Sequence, residues 1–562
     1  MTVKIIKPIN FGLKIIIPMF LTGTISFGQN FGANVTGNTE TTFQYLQNDT
    51  LIGAVQPESK SVMNSYTNVN YTLKGFSAGV RFESYLPHIL GYPDRYSGSG
   101  IGYKYASYSH DIVDVTVGNF YEQFGSGMAF RSYEARTLGL DNAMEGFKIK
   151  FRPTKGIELK AVYGKMRYSF TDGKLINSEG VVRGIDGELN FKEFYGLLEN
   201  SKFNVIIGGS FVSKFQQVTH PDYYYPSNVA TYGGRMKLSY KDWYIEGEHI
   251  IKEQDPSDDN LSIYNYGHGT LITAGYSQKG LGIVLQAKSI DNMSYRTDPN
   301  AKLSDLNINF IPTLSKTHTY NLASTLYPYS SQSKGEMAFQ ADVMYKIPKK
   351  TILGGKYGTN ININYSIALN PMQHFSNADT VQRILYQTNV FDVTDSLFNS
   401  DFSVQIKRKI NKKLKVGLTY FNFKYNNILL DGATDKTNLD NEYVKANVFV
   451  LETQYKISRK HSIRTEFQAL FTKQDVGDWG TFLVEYNISP KWFFAVMDQF
   501  NYGNSVPAKR LHYLIGSAGY LFGSSRIMVT YGKQKAGIFC IGGVCRTVPA
   551  TNGLTLTFTS SF

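Results

Sequence analysis

The chain has 562 residues, including 40 Tyr, 37 Phe and 51 Gly but only 2 Cys, and its formal net charge is +13. An apolar content of 42% is ordinary for a folded chain, and the low cysteine count excludes a disulfide-rich scaffold. Outside the N-terminus no apolar run approaches the ~20 residues that cross a bilayer as a helix, which excludes a helical membrane protein.

The N-terminus has the layout of a secretory signal peptide. Three lysines precede the short apolar stretch IIIPMFLTGTISFG, and the small residue Gly28 marks the expected cleavage site. We therefore predict a signal peptide over residues 1–28 and an exported chain over residues 29–562; a membrane anchor is the weaker alternative, because the apolar core is short. Cleavage lowers the net charge to +10. Export excludes nucleic acid as the partner of this charge and favours lipopolysaccharide or an anionic solute.

Apolar and polar side chains alternate in segments along the whole exported chain. The stretches FSAGVRFESY (residues 76–85), MAFQADVMYKI (337–347) and FSVQIKRK (402–409) show the pattern. A membrane β-strand alternates in this way over about ten residues, with apolar side chains toward lipid and polar ones toward the lumen. A soluble sandwich rarely keeps such a pattern without a break in composition, so the alternation favours a membrane barrel.

Short and long connections also alternate, as they do in outer-membrane barrels, which have short periplasmic turns and long external loops. The short ones are basic or glycine-containing, such as KG, RPTKG, PKK and SRK. The long polar ones are residues 86–98, 121–143, 169–181, 215–228, 253–266, 291–336, 372–396, 426–444 and 534–549. This spacing predicts about 24 strands, within a range of roughly 22–26. Residues 182–202 fit least well, since they must contain an unusually long inner turn.

The C-terminal stretch NGLTLTFTSSF alternates and ends in Phe562. It resembles the last strand of a bacterial outer-membrane β-barrel, in which a terminal aromatic residue forms part of the assembly signal. We therefore predict an all-β, antiparallel transmembrane barrel in the cell outer membrane. The few residues between the cleavage site and the first strand, residues 31–46, leave no room for the plug domain of a TonB-dependent transporter.

The long connection at residues 121–143 is a candidate pore loop. Two glycines, Gly125 and Gly127, would allow the backbone to turn back into the lumen. Opposed charges of this kind set ion selectivity in pore constrictions. An external loop with solvated or paired charges is the equal alternative. The candidate residues are Glu122, Arg131, Glu134, Arg136, Asp141 and Glu145.

Two further connections have distinctive compositions. Residues 291–336 form a long, tyrosine-rich connection that we expect to cap or plug the barrel or to dock a partner, because loops of this length are usually functional or disordered. Cys540 and Cys545 flank a Gly-Gly pair in the last external loop. In an exported chain this pair predicts a small disulfide, and a metal site is the weaker alternative because no histidine lies in that loop.

The sequence favours a protein that is not an enzyme. The nine histidines are scattered, and no serine or carboxylate pattern marks a hydrolase site, although an outer-membrane hydrolase, a phospholipase or a protease, is the third alternative. The stretch GSGMAF lacks the spacing of a dinucleotide fingerprint. We expect no cofactor and no metal.

Several stretches together resemble a family of large outer-membrane proteins of the Bacteroidota that is known only as a domain of unknown function. They are VGNFYEQFGSG, LGLDNAMEGFKIKFRPTKGIELKAVYG, IDNM, YPYSSQSKGEMAFQADVMYK and LGGKYGT. The resemblance implies a barrel and brings no substrate and no catalytic residue. The sequence thus favours a monomeric, porin-like passive channel for a small hydrophilic solute, in contact with outer-membrane lipid. The alternative is a non-catalytic accessory barrel with envelope protein partners, in protein export or outer-membrane assembly.

Overall fold

The alternating segments form long antiparallel strands in the computed structural model, which describes residues 33–562 apart from 195, 197, 376–377, 432–441 and 542–543. The predicted signal peptide, residues 1–28, lies outside the described residues. None of the described helices is long and apolar enough to cross a membrane.

The first half of the chain contains the strands β1 (Ala33–Leu46), β2 (Ser61–Leu73), β3 (Phe76–Tyr85), β4 (Gly98–Ser109), β5 (Val113–Phe120), β6 (Glu122–Phe124), β7 (Phe130–Ser132), β8 (Glu134–Ala135), β9 (Leu140–Asp141), β10 (Met144–Phe151), β11 (Ile157–Thr171), β12 (Lys174–Asn190), β13 (Phe203–Phe215), β14 (Asn228–Tyr240) and β15 (Trp243–Lys252).

The second half contains β16 (Gly267–Gln278), β17 (Leu281–Asp291), β18 (Gly335–Ile347), β19 (Thr359–Pro371), β20 (Val393–Lys409), β21 (Leu414–Asn426), β22 (Tyr443–Lys456), β23 (His461–Thr472), β24 (Trp479–Ile488), β25 (Trp492–Phe500), β26 (His512–Phe522), β27 (Ser525–Gln534), β28 (Gly537–Ile541), β29 (Val544–Val548) and β30 (Thr551–Ser561). The short helices are α1 (Asn321–Thr325) and α2 (Asn427–Asp431), and 3-10 turns lie at Arg136–Leu138, Asp258–Asn260 and Pro507–Lys509.

Within the described chain, 24 strands form one antiparallel sheet that closes on itself, which confirms the predicted barrel and strand number. The closing pair is β1 with β30, in a register that runs from Asn38 opposite Ser561 to Leu46 opposite Gly553. Phe562 extends the seam by exchanging two backbone hydrogen bonds with Gly37, of 2.9 and 3.0 Å. Closure satisfies the backbone groups that a sheet edge would leave bare in lipid.

The remaining short strands form hairpins inside the long connections: β6 with β7, β8 with β9, and β28 with β29. We use the term turn end for the end of the barrel with the short connections and loop end for the end with the long ones. Strand β1 begins and strand β30 ends at the turn end, as the even strand number requires.

The two faces of each wall strand differ as the alternation predicts. On β22, Phe449 and Leu451 face outward and are about half exposed, whereas Val448 and Val450 face inward and are at most 3% exposed. Charged side chains concentrate on the inner face, for example Lys148 and Lys150 on β10. The outer face is therefore the apolar surface that a bilayer would contact.

Two connections differ from the sequence prediction. Residues 169–181, predicted as a long loop, form the ends of β11 and β12, which are joined at Asp172 and Gly173. Both residues have positive φ (51° and 77°), as a tight hairpin of Asp-Gly type requires. The poorly fitting inner turn is shorter than predicted, residues 191–202, because β12 continues to Asn190.

Candidate functional site: the loop-filled lumen

Two long connections of the loop end fold into the lumen. We name residues 121–143 lumen loop 1 and residues 292–334 lumen loop 2. Phe124, Met128 and Phe130 of lumen loop 1 have no exposed surface. They share one apolar cluster with inward-facing residues of five consecutive strands, β11 to β15, which are Val162, Val182, Val212, Val229 and Ile250. Because these positions line the inner wall, lumen loop 1 lies inside the barrel.

Lumen loop 2 enters beside lumen loop 1 and is hydrogen-bonded to it. Ile308 belongs to the same apolar cluster. The backbone amide of Arg131 donates to the carbonyl of Ile308 (2.8 Å), and the amide of Phe310 donates to the carbonyl of Gly127 (3.0 Å). The two loops are therefore in direct contact within the lumen.

The second half of lumen loop 2 crosses to another part of the wall. Helix α1 carries the buried Leu322 and Ala323, and Tyr320 lies just before the helix. These residues pack against inward-facing side chains of β21 to β24, which are Phe421, Phe423, Val448, Val450, Leu470 and Trp479. The backbone amide of Leu322 also donates to the side chain of Gln468 (2.9 Å). Lumen loop 2 thus spans the lumen from β17 to the wall formed by β21–β24.

Ion pairs also attach lumen loop 1 to the wall strands β3 and β11. Arg81 on β3 contacts Glu83 (2.7 Å), Glu134 (3.0 Å) and Asp141 (2.6 Å). Arg167 on β11 contacts Glu83 (2.7 Å) and Asp141 (2.9 Å). The arginine side chains are 4% and 1% exposed. Two of the predicted pore-loop residues, Glu134 and Asp141, therefore neutralise buried wall arginines.

Arg136 extends this network to the first strand. Its guanidinium pairs with Glu134 (2.8 Å) and with Glu40 on β1 (3.1 Å), and it lies 4.5 Å from the ring centroid of Tyr66. Burial lowers the pKa of Arg136, but the two carboxylates outweigh burial and raise the pKa above its ordinary value. This guanidinium therefore remains charged while it holds the loop to β1.

Glu122 lies in a separate ion-pair cluster. Its carboxylate is 3.3 Å from the ammonium of Lys148 on β10 and 3.7 Å from that of Lys160 on β11. Burial raises the pKa of Glu122, but the positive charges of these lysines outweigh it and hold the pKa below its ordinary value. Glu122 thus attaches the start of lumen loop 1 to the wall as a carboxylate.

The remaining two predicted residues have other surroundings. The guanidinium carbon of Arg131 lies 4.3 Å from the ring centroid of Tyr133 and 4.1 Å from that of Phe310, and burial lowers the pKa of Arg131. Glu145 does not face the lumen. Strand β10 places it on the outward-facing side, 3.8 Å from the ammonium of Lys104. The structure therefore brings together Glu134, Arg136 and Asp141 and separates the other three candidates.

Two buried pairs that fix lumen loop 2 could not be recognised in the sequence. Lys288 and Glu336 are 2.7 Å apart, and both side chains are fully buried next to the end of the loop. Inside the loop, the imidazole of His318 contacts the carboxylate of Asp401 on β20 (2.5 Å). Each of these residues looks like one more polar inward position in an alternating strand or loop. The one signal in the sequence for Lys288 and Glu336 is that two opposite charges flank the long connection predicted to cap or plug the barrel.

One sector of the inner wall is lined by hydroxyl groups. On β26, β27, β30 and β1, hydroxyl side chains face inward in adjacent registers: Ser517, Thr530, Thr555, Thr557 and Thr42. All of these side chains are half-buried, whereas Asp186, Ser210 and Glu248 in the middle of β12, β13 and β15 are buried. Ser517 and Thr530 share a hydrogen bond of 3.0 Å. We name this part of the wall the hydroxyl sector.

The predicted disulfide falls in the β28–β29 hairpin. The backbone pairs Cys540 directly opposite Cys545, and their side chains lie outside the described residues. The hairpin approaches the lumen loops, because Gly537 at its start lies next to the carbonyl of Thr325 at the end of α1. The disulfide stays a prediction.

Comparison with known proteins gives a family and a fold. A model of a family described as "Family of unknown function (DUF6029)" matches residues 11–562. No curated protein matches the sequence. The siderophore receptor PirA from Pseudomonas aeruginosa is similar with a TM-score of 0.40 and 10% identity, over 94% of this chain and 80% of that one.

Two further solved structures are the outer membrane protein opdK from Pseudomonas aeruginosa and OccAB3 from Acinetobacter baumannii. The first has a TM-score of 0.34 and 11% identity over 69% of this chain and 94% of its own. The second has a TM-score of 0.33 and 9% identity over 94% and 98%. At these identities the likeness concerns the fold alone.

Proposed function

The chain belongs to the family of unknown function DUF6029, and from this premise we propose that it is a porin-like passive channel of the cell outer membrane for a hydrophilic solute. In this proposal the protein is a monomeric, non-catalytic barrel in contact with outer-membrane lipid. It is exported by means of an N-terminal signal peptide that is then cleaved. The lumen loops restrict the passage, and the hydroxyl sector forms its open side.

The half-buried hydroxyl sector carries the proposal. A wall of about 24 strands encloses more space than its own side chains fill, so loops or water must occupy the rest. The lumen loops pack on β11–β15 and β21–β24, whereas the inward hydroxyls of β26, β27 and β30 stay accessible. Hydroxyl groups both donate and accept hydrogen bonds, so they suit a polyhydroxylated or other polar solute.

The test is conductance of the purified protein in planar bilayers, together with liposome swelling in sugars. We expect a small single-channel current that falls several-fold in the Ser517→Trp/Thr530→Trp variant, because two indole rings would fill the hydroxyl sector. The matched control is Val529→Trp, which adds the same ring to the outward face of β27. No current and no swelling with the unmodified protein would refute the channel.

A second candidate function is a non-conducting accessory barrel in an envelope complex. The lumen-spanning path of lumen loop 2 favours it, because the loop is fixed at both sides by buried contacts. Purification in a mild detergent distinguishes the two functions. A stoichiometric partner protein together with zero conductance supports the accessory barrel, and a lone conducting protein supports the channel.

A further inference from the structure

Three neighbouring turns at the turn end carry only positive charge. They join β18 to β19 (residues 348–358), β20 to β21 (410–413) and β22 to β23 (457–460), and we name them the basic turns. The sequence has no Asp or Glu within residues 343–378, 402–430 or 453–465, although lysine and arginine recur in all three segments. A wall sector of six adjacent strands thus ends in uncompensated cations.

In another turn at the same end, most of the positive charge is neutralised. Beyond β10, Arg152 pairs with Asp114 (2.5 Å) and Glu158 (3.2 Å), and Lys150 pairs with Glu158 (3.7 Å). In contrast, no carboxylate of the described residues forms an ion pair with Lys356, Lys412 or Lys413, three exposed lysines of the first two basic turns. The positive charge of the basic turns is therefore available to a ligand.

The first two basic turns and the end of β22 form a groove of about 430 Å³ that reaches the outer face of the barrel. Its lining residues include Lys356, Tyr357, Ile410, Lys412, Lys413 and Tyr455. Tyr455 has the same parity on β22 as the outward-facing Leu451, and Ile410 and Tyr455 are 48% and 40% exposed. The groove thus joins three ammonium groups to the apolar surface that faces lipid.

The height of the groove matches the interface between lipid and water. Tyrosine side chains collect at this level in membrane barrels, and Tyr345 and Tyr455 are outward-facing tyrosines at the turn ends of β18 and β22. The three lysines lie in the turns, farther from the middle of the barrel than Tyr455 and at the level where phospholipid head groups begin. Ile352 and Leu353 at the tip of the first basic turn are 97% and 69% exposed, as apolar residues dipping into head groups would be.

We propose that this groove binds the head group of an anionic phospholipid in the leaflet at the turn end. Lys356, Lys412 and Lys413 would contact the phosphate, and Ile410 and Tyr455 would contact the glycerol backbone and upper acyl chain. Lysine is suited to this role because its ammonium is a mobile point charge that follows a head group. Clusters of basic residues beside a membrane attract anionic lipid in general. The proposal rests on the membrane placement made under the proposed function but not on conductance.

The test is lipid retention by the full-length purified protein in detergent, measured by native mass spectrometry with phosphatidylglycerol and phosphatidylcholine as separate probes. We expect selective retention of phosphatidylglycerol, with affinity lowered about fivefold for each lysine removed and about hundredfold in Lys356→Gln/Lys412→Gln/Lys413→Gln. The matched control is Lys155→Gln/Lys192→Gln/Lys279→Gln, which removes the same charge from exposed positions in three other turns. The control should retain the lipid like the unmodified protein.

Four outcomes overturn the proposal. If the control variant loses as much lipid as the triple variant, the effect is one of net charge alone. If phosphatidylcholine is retained as well as phosphatidylglycerol, the lysines do not select the lipid. Displacement of the lipid by millimolar inorganic phosphate identifies a free anion as the ligand. If the triple variant retains the lipid as the unmodified protein does, the lysines do not bind it, and an acidic protein partner becomes their ligand. Conductance measured on the same variant separates these results from the channel, because the groove lies outside the lumen.

Discussion

The two lumen loops occupy the same cavity but are held in different ways. Lumen loop 1 combines packing in an apolar cluster with several buried ion pairs to Arg81 and Arg167 of the wall. Lumen loop 2 is held chiefly by aromatic and aliphatic packing around Tyr320 and Leu322, and its buried ion pairs are few. Charged attachment is directional and sensitive to the loss of one partner, whereas apolar packing is distributed over many contacts. The same lumen therefore holds one loop that a single charge change should release and one that it should not.

The largest effect is expected from Arg167→Ala. The change leaves Glu83 and Asp141 with one fewer guanidinium in a site that is almost closed to water, and unpairing a buried charge costs about 3–5 kcal/mol. Urea unfolding in detergent measures the loss in free energy of unfolding, and limited proteolysis of lumen loop 1 shows whether the loop is released. Arg152→Ala, at a half-exposed pair near the turn end, is the control and should cost less than about 1 kcal/mol. Similar losses in the two variants would contradict the role given to burial.

Leu322→Ala is the matching change in lumen loop 2. It removes a fully buried side chain from the packing of α1 on β21–β24, which should cost roughly 2–4 kcal/mol. Proteolysis should become faster within residues 292–334 and stay unchanged within residues 121–143. If lumen loop 1 is released as well, the two loops form one cooperative unit and the contrast between them fails.

Gly125→Ala should have a smaller and local effect on lumen loop 1. Gly125 has φ of 51°, which favours glycine, and an added Cβ would meet the carboxylate of Glu248. That carboxylate accepts a hydrogen bond from the amide of Ser126 (2.9 Å). We expect a loss of about 1–2 kcal/mol and faster hydrogen exchange at Ser126. Gly247→Ala, where a Cβ meets open space, is the control. Slow exchange at Ser126 in the variant would argue against this contact.

The smallest effect concerns pH. Because the folded pKa of Glu122 lies below its ordinary value, its carboxylate stabilises the folded loop above that value. The contribution is lost as the pH falls through the folded pKa. Lumen loop 1 should therefore become more susceptible to an acid-active protease below about pH 4.5, and Glu122→Gln should remove part of this dependence. An identical acid profile in the variant would assign the dependence to other carboxylates.

The wall of the barrel could be predicted from the sequence because alternation reports directly which side of a strand meets lipid. The same rule could have placed Glu145 correctly: it shares its parity on β10 with Phe147 and Ile149, both on the outer face. The partly wrong loop at residues 169–181 contains Asp172-Gly173, a hairpin signal that its polar surroundings obscured.

The position of the two loops inside the lumen is harder to predict from the sequence, because it depends on contacts between residues that are far apart in the chain. Arg167 and Glu83 are separated by 84 positions, and Leu322 and Gln468 by 146. Each partner is one polar residue among many inward-facing ones, and nothing local in the sequence distinguishes it. Periodicity gives the face of a residue but not the loop that comes to cover it.

The seam between β1 and β30 joins the first and last strands of the barrel and can form only late. Gln44 and Thr555, which are hydrogen-bonded across it, are separated by 511 positions, so the ring cannot close before nearly all of the chain has been delivered. Both lumen loops lie between these positions and are already available by then. Both loops can therefore pack against the wall before the last strand closes the ring.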